Sequence, residues 1–158
     1  MRNKTRLVGG VAALAITFVG AWEGLRLAAY RDIVGVPTIC YGETRGVKLG
    51  DQHTRAECDA MLLASLKRHE AGMRKCLKAP DRIPNKSYVA FVSLTYNIGT
   101  GAFCRSTATR RLNAGDLEGA CEAATWFNRA GGRVVKGLHN RRSAEYRLCM
   151  EGAGEWER

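Results

Sequence analysis

Six cysteines, Cys40, Cys58, Cys76, Cys104, Cys121 and Cys149, are spread widely through a chain of 158 residues. An even count at wide spacings points to an oxidising compartment and to three disulfides, although six cysteines allow fifteen pairings. No C-x-x-C occurs, so a structural zinc site or a thioredoxin-like motif has little support. His53 lies near Cys58, but a lone histidine beside a cysteine reads as a surface residue rather than a ligand. Neither a metal nor a cofactor is expected.

The chain length suits one domain with a modest core. A net charge of +10 implies an anionic partner. Nucleic acid, anionic lipid and the bacterial cell wall, with its peptide carboxylates and phosphate polymers, all qualify. No finger, RNP or helix-turn-helix signature stands out, and no basic motif carries interleaved aromatics, so no nucleic-acid partner is expected.

The N-terminus reads as an address. Arg2, Lys4 and Arg6 precede an uncharged run, Leu7 to Trp22, in the manner of a secretion signal. At about 1.5 Å per residue this run spans about 24 Å, short of the roughly 30 Å hydrocarbon core. Gly9, Gly10, Gly20 and four alanines leave it weakly apolar, a poor permanent anchor. A cleaved signal peptide is the alternative, since Val19-Gly20-Ala21 offers small residues near a plausible cut. Such a cut would leave Glu23 at a frayed new N-terminus, so the segment is expected to stay. The soluble alternative, a buried N-terminal helix, is compatible with a later life of the same residues.

Glu23, Asp32 and Thr38 follow in the spacing E-x8-D-x5-T, within WEGLRLAAYRDIVGVPTICYG. Two carboxylates and a hydroxyl are the minimal set for hydrolysing a glycosidic bond. One carboxylic acid protonates the leaving oxygen, an ionised carboxylate supports the oxocarbenium-like transition state or steers a water, and a hydroxyl holds that water. The bland alternative makes Glu23 a helix-terminal surface charge, Asp32 a turn residue before Gly35, and Thr38 an ordinary strand residue.

The periodicities predict a helix from Leu7 to about Leu27 and a β-hairpin from Tyr30 to Tyr41, turning near Val34-Gly35. Pro37 places its strand at an edge or a bulge. A loop covers Glu43 to Gly50. Thr54-x-x-Glu57 forms a capping box that opens a helix from Arg55 to about Lys78. Ala79 to Pro84 breaks the chain, and Asn85 or Ser87 caps the next helix. Short helices are expected at Thr107–Ala114 and Leu117–Phe127, with Gly115 closing one and Asp116 capping the other. A last helix runs to about Met150, and Gly152–Arg158 reads as a frayed tail.

The E-x8-D-x5-T run, with its Thr38-Ile39-Cys40-Tyr41-Gly42 continuation, resembles phage-type lysozymes (glycoside hydrolase family 24). Ala90-Phe91-x-x-x-Thr95-Tyr96-Asn97-Ile98-Gly99 and the pattern Trp126…Gly131-Gly132…Gly137-Leu138-x-x-Arg141-Arg142-x-x-Glu145 resemble the same family. The resemblance covers roughly residues 22–150. It implies an α+β, lysozyme-like fold: a small β-hairpin lobe and a larger helical lobe joined by a long helix, with the cleft between them. It implies Glu23 as general acid, Asp32 as an ionised partner and Thr38 as the residue that orients water, in an inverting arrangement with carboxyl groups about 6.5–9.5 Å apart. It also implies the disulfides Cys40–Cys58, Cys76–Cys104 and Cys121–Cys149. One departure is visible: Cys40-Tyr41-Gly42-Glu43 carries a carboxylate where the family often has a histidine, and no catalytic role is assigned to Glu43, because it lies beyond the hairpin. Of Arg141 and Arg142, one is expected to pair internally and the other to face an anionic substrate.

The N-terminus resembles the signal-anchor-release endolysins of lambdoid-type phages. That implies three segments: an anchor at 1–22, a catalytic domain at 23–150 and a flexible tail at 151–158. The expected function is hydrolysis of the β-1,4 bond between N-acetylmuramic acid and N-acetylglucosamine in peptidoglycan. The monomer would first be held at the inner membrane by residues 7–22 and then released into the periplasm. A lytic transglycosylase, and a non-catalytic binder of cell wall or membrane, are the alternatives. Asp32 and Thr38 favour water as the acceptor over the first, and the intact trio argues against the second.

Overall fold

The computed structural model describes residues 4–156, so Arg2 of the basic start and Glu157 and Arg158 of the expected tail lie outside the described residues. The chain divides into two compact units, one of residues 7–67 and one of residues 68–156 together with the residues just before Leu7. The apolar run of the expected anchor falls in the first unit.

The first unit opens with α1, Gly9–Glu23, which buries only Ala12, Ala15, Val19 and Gly20, one face at helical spacing. The helix stops at Glu23, four residues short of the expected Leu27. Gly24 takes φ 72°, a left-handed conformation that favours glycine, and its N–H returns to the Gly20 carbonyl. Arg26 and Leu27 are claimed instead by a strand. β1, Arg26–Arg31, pairs antiparallel with β2, Pro37–Cys40, placing Tyr30 opposite Thr38 and Arg31 opposite Pro37. Pro37, which cannot donate to a ladder, is the first residue of its strand. On its other side β1 receives the loop that follows: Ala29 N–H donates to Asp51 O and His53 N–H to Leu27 O, both at 2.9 Å. These long-range bonds decide the strand's early start.

The capping box forms as the sequence predicts. Glu57 N–H donates to Thr54 Oγ1 at 3.1 Å, and Thr54 N–H donates to Glu57 Oε1 at 3.2 Å. It opens α2, Arg55–Lys75, whose residues fall on both sides of the boundary between the units.

The second unit is built around α3, Asn85–Ile98, in which nine consecutive residues from Ser87 to Thr95 are buried. A 3-10 turn, Pro80–Arg82, precedes it. Neither expected cap serves α3. Asn85 Oδ1 accepts from the Arg6 guanidinium and the Ser87 hydroxyl donates to the Cys149 carbonyl, so both polar groups are spent on distant partners. Then come α4, Thr100–Cys104, which no sequence signal announced; α5, Thr107–Asn113; and α6, Leu117–Ala124, capped by Asp116, whose Oδ1 accepts from Gly119 N–H at 2.9 Å. A two-stranded hairpin also goes beyond the sequence expectation: β3, Arg129–Ala130, and β4, Arg133–Val134, joined by Gly131-Gly132.

The last helix, α7, runs from Lys136 to Trp156, so residues 151–156 are helical rather than a frayed tail. Gly152 explains why. It lies so close to α3 that an added Cβ would meet Ser87 Oγ at 2.3 Å, and it is buried together with Ala153. Lys86 adds ion pairs to Glu151 and Glu155. The last turn is held by packing, which a composition of glycine, alanine and glutamate does not advertise.

The six cysteines stand in three bonded pairs: Cys40 with Cys58 in the first unit, and Cys76 with Cys104 and Cys121 with Cys149 in the second. Among the described residues, no helix is long and apolar enough to cross a membrane.

Candidate active site

Glu23, Asp32 and Thr38 all lie in the first unit. Glu23 is the last residue of α1, half-buried, and only Gly24 and Leu25 separate it from β1. Its support comes from one turn back. Gly20 is pressed against the Tyr41 ring, where an added Cβ would sit 3.0 Å from the ring edge. Tyr41 is buried and its hydroxyl donates to Asp59 Oδ1 on α2 at 2.5 Å. Burial, with the Asp59 carboxylate, pushes the Tyr41 phenol up, so it remains a donor. The Tyr41–Asp59 pair thus fixes the ring on which the end of α1 rests. Trp22, the neighbour of Glu23 in the chain, is 38% exposed.

Asp32 and Thr38 meet on one residue, Val36. Asp32 Oδ1 accepts from Val34 N–H at 2.9 Å and from Val36 N–H at 2.8 Å, while its own N–H donates to Val36 O at 3.0 Å. Thr38 is buried and its hydroxyl donates to the same Val36 carbonyl at 2.9 Å. Arg31 closes the turn from outside, donating to Gly35 O at 3.1 Å. The bland reading is therefore correct as far as it goes: Asp32 is a turn residue and Thr38 a strand residue. The chemistry that remains open follows from what those bonds consume. One Asp32 oxygen holds the turn and Oδ2 does not; the Thr38 proton is committed, so its oxygen offers lone pairs.

Glu43 follows the hairpin in the chain but folds back onto β2. It exchanges two backbone bonds of 2.9 Å with Ile39, the residue after Thr38, because the chain doubles back at Tyr41-Gly42. His53 reaches Glu57 Oε2 at 2.8 Å, and this bond, with the Thr54 cap, holds the Glu57 carboxyl below its usual value.

The expectation that one arginine of the 141–142 pair faces substrate is overturned. Both are buried, and both converge on buried Glu145. Arg142 Nε lies 2.6 Å from Glu145 Oε1, Arg141 Nε lies 3.5 Å from Oε2, and Ser93 on α3 donates to Oε2 at 2.6 Å. Burial pushes the Glu145 carboxyl up, against the pull of the two guanidiniums and the hydroxyl, and burial lowers Arg142. At i+3 and i+4 on one helix, the two arginines reach the same carboxylate by helical spacing alone. That was the available signal. The supports of Glu23 had a weaker one: Gly20 and Tyr41 were visible as residues, but nothing local joins them.

A helix ending on a glutamate, a hairpin that presents an aspartate and a threonine, and a separate helical unit define a lysozyme-like α+β protein. The family model described as Phage lysozyme matches residues 20–145, and the chain belongs to that family. It is similar to the SAR-endolysin of Pseudomonas phage phiKMV, 38% identical over 154 residues that cover 95% of this chain and 94% of the relative. The SAR-endolysin of Bacteriophage PS119 is 38% identical over 146 residues, 90% of this chain and 86% of the relative. Of solved structures, the endolysin from Escherichia coli O157:H7 phage FAHEc1 shares the fold with a TM-score of 0.78 at 33% identity, covering 96% of this chain and 94% of that one.

Proposed function

We propose that this phage endolysin, which degrades peptidoglycan to lyse its host, is a muramidase that uses Glu23, Asp32 and Thr38 to cut the β-1,4 bond between N-acetylmuramic acid and N-acetylglucosamine. Glu23 delivers its proton to the glycosidic oxygen as the bond to the anomeric carbon breaks. A water donates one hydrogen to the Thr38 oxygen and the other to Asp32 Oδ2. As that water's oxygen bonds the anomeric carbon, Asp32 takes its proton, and exchange with solvent restores both carboxyls. The observation that carries this reading is the pair of bonds on Val36, whose N–H donates to the Asp32 carboxylate and whose carbonyl accepts from the Thr38 hydroxyl, so that one residue ties both side chains into the turn.

The test is clearance of permeabilised Gram-negative cells by wild type and Glu23→Gln. Loss of general acid catalysis should lower the rate about 10²–10⁴-fold while the melting curve stays that of the wild type. A well-folded Glu23→Gln protein with near-normal rate refutes the assignment. Mass spectrometry of the product ends separates the reactions: hydrated termini support hydrolysis, and anhydro termini identify a transglycosylase.

The same reading places the monomer first at the inner membrane of the host, held by residues 7–22, and then in the periplasm. Glu23 directly follows that run and is also the last residue of α1. While residues 7–22 lie in the bilayer, α1 cannot rest on Tyr41, and the general acid has no support. The tethered enzyme is inactive for that reason, and release builds the site.

A further inference from the structure

The residues just before the apolar run are not a loose end. Thr5 donates from its hydroxyl to Glu70 Oε2, and Arg6 N–H donates to Glu70 Oε1 at 2.7 Å. The Arg6 guanidinium then spreads over the Tyr88 ring, 4.1 Å from its centroid, and sends one nitrogen to Pro80 O and the other to Asn85 Oδ1, both at 2.8 Å. Glu70 is 1% exposed, and its remaining bonded partner in the helical unit is the Tyr88 hydroxyl. Arg74 in turn donates to that hydroxyl at 3.1 Å and pairs with Asp81. Every one of these groups belongs to the second unit.

We propose that Glu70, Tyr88, Asn85 and the Pro80 carbonyl form a binding site for the chain's own N-terminal flank, and that Thr5 and Arg6, seated there, are the clasp that holds the enzyme in its released form. The inference rests on the tether reading of residues 7–22. A basic flank before an apolar run stays on the cytoplasmic side while the run is in the membrane. In that state Thr5 and Arg6 are a bilayer away from the helical unit. Glu70 is then without two of the three donors that it has among the described residues, so seating the flank adds two hydrogen bonds to a carboxylate. Arg6 must also cross the bilayer with the anchor, which slows escape. Once across, it finds a carbonyl, an amide oxygen and an aromatic face matched to a guanidinium, so return is opposed. The apolar run supplies the delay, and its flank supplies the direction.

The test uses the full chain, with Thr5→Val, Arg6→Lys, Glu70→Gln and the Thr5→Val/Glu70→Gln double variant. Thr5→Val leaves the charge of the flank alone, and Arg6→Lys keeps the charge that sets topology while losing the fork. After membrane depolarisation, the ratio of released to membrane-bound enzyme should fall about tenfold in each single variant, the effect of losing a hydrogen bond to a charged group. The purified released enzyme should retain its rate per molecule. In urea unfolding, the double variant should be no less stable than Glu70→Gln, because the two groups share one bond. Strictly additive losses overturn the clasp. So does an unchanged release ratio in cells where the wild type is first membrane-bound. If the wild type is soluble from the start, the tether reading itself fails, and the clasp's role in release falls with it.

Discussion

Helices α1 and α3 are nearly the same length, 15 and 14 residues, and both are rich in apolar side chains. Their fates in the fold differ. α3 buries nine residues in succession, and its polar members are consumed: Ser87 bonds Cys149 O, Ser93 bonds Glu145, and Thr95 bonds its own helix at Phe91 O. α1 buries four, all of them small or β-branched, and the fold leaves Trp22 38% exposed, as it does Val8, just before the helix, at 59%. α3 is as apolar as its packing requires. α1 is more apolar than its packing requires, and the surplus fits a second environment. The contrast teaches that hydrophobicity in a sequence need not report a core. It reports every solvent a segment must meet.

The largest effect should fall on the α3 side of this comparison. Glu145→Gln leaves two buried guanidiniums facing one neutral amide, and breaking a buried ion cluster in this way costs about 3–5 kcal/mol. Urea denaturation measures it, and a loss below about 1 kcal/mol would mean that the cluster does not hold α7 to the core.

Ala13→Lys should separate the role of α1 in the fold from its proposed role as a tether. Ala13 is exposed in the folded enzyme, so the melting curve and the rate of the purified protein should stay within about 0.5 kcal/mol of wild type. In the middle of the run, the same lysine opposes membrane insertion by about 2.5–3.5 kcal/mol, and cell fractionation should find the membrane-bound form depleted. A variant that unfolds would show that α1 has no surplus.

A third pair of variants sharpens the point within α1. Gly10 has open space around it, so Gly10→Leu should strengthen membrane retention and delay lysis without harming the fold. Gly20→Leu drives a side chain into the Tyr41 ring and should cost about 1–3 kcal/mol in the released enzyme, with lower activity because the end of α1 carries Glu23. Equal stability of the two purified variants would remove Tyr41 as the support of the site.

The smallest effect concerns pH and the first unit alone. The His53 bond and the Thr54 cap lower the Glu57 carboxyl below the ordinary glutamate value of 4.5. A lowered folded value means that its contribution is complete above about pH 4.5 and is lost as pH falls through the depressed value. Melting temperatures of wild type and Glu57→Gln measured from about pH 6 down to about pH 3 should converge at the acid end. A constant difference between them would exclude the titration.

Much of the candidate site's local geometry is legible in the sequence. The E-x8-D-x5-T spacing needs only a helix end and a hairpin, and both are local. So is the capping box at Thr54 and Glu57, whose partners are three residues apart. The misreadings share a different cause. Arg26 and Leu27 continue a helical pattern in the sequence and become strand because Asp51 and Gln52 come to lie beside β1. Asn85 and Ser87 look like caps and are diverted to Arg6 and Cys149. Residues 151–156 look frayed and are helical because Gly152 fits against Ser87.

The sequence alone determined what depends on neighbours along the chain: the uncharged run and its basic flank, the order of Glu23, Asp32 and Thr38, and the turn and cap residues around them. Those features persist in any environment, because the covalent spacing that creates them does. The tertiary structure decided the rest: that Gly20 rests on Tyr41, that Arg141 and Arg142 share Glu145, and that Thr5 and Arg6 close on Glu70. These contacts join residues far apart in the chain or depend on how deeply they are buried. The energy of such a polar contact depends on the water removed around it, and no stretch of sequence carries that quantity.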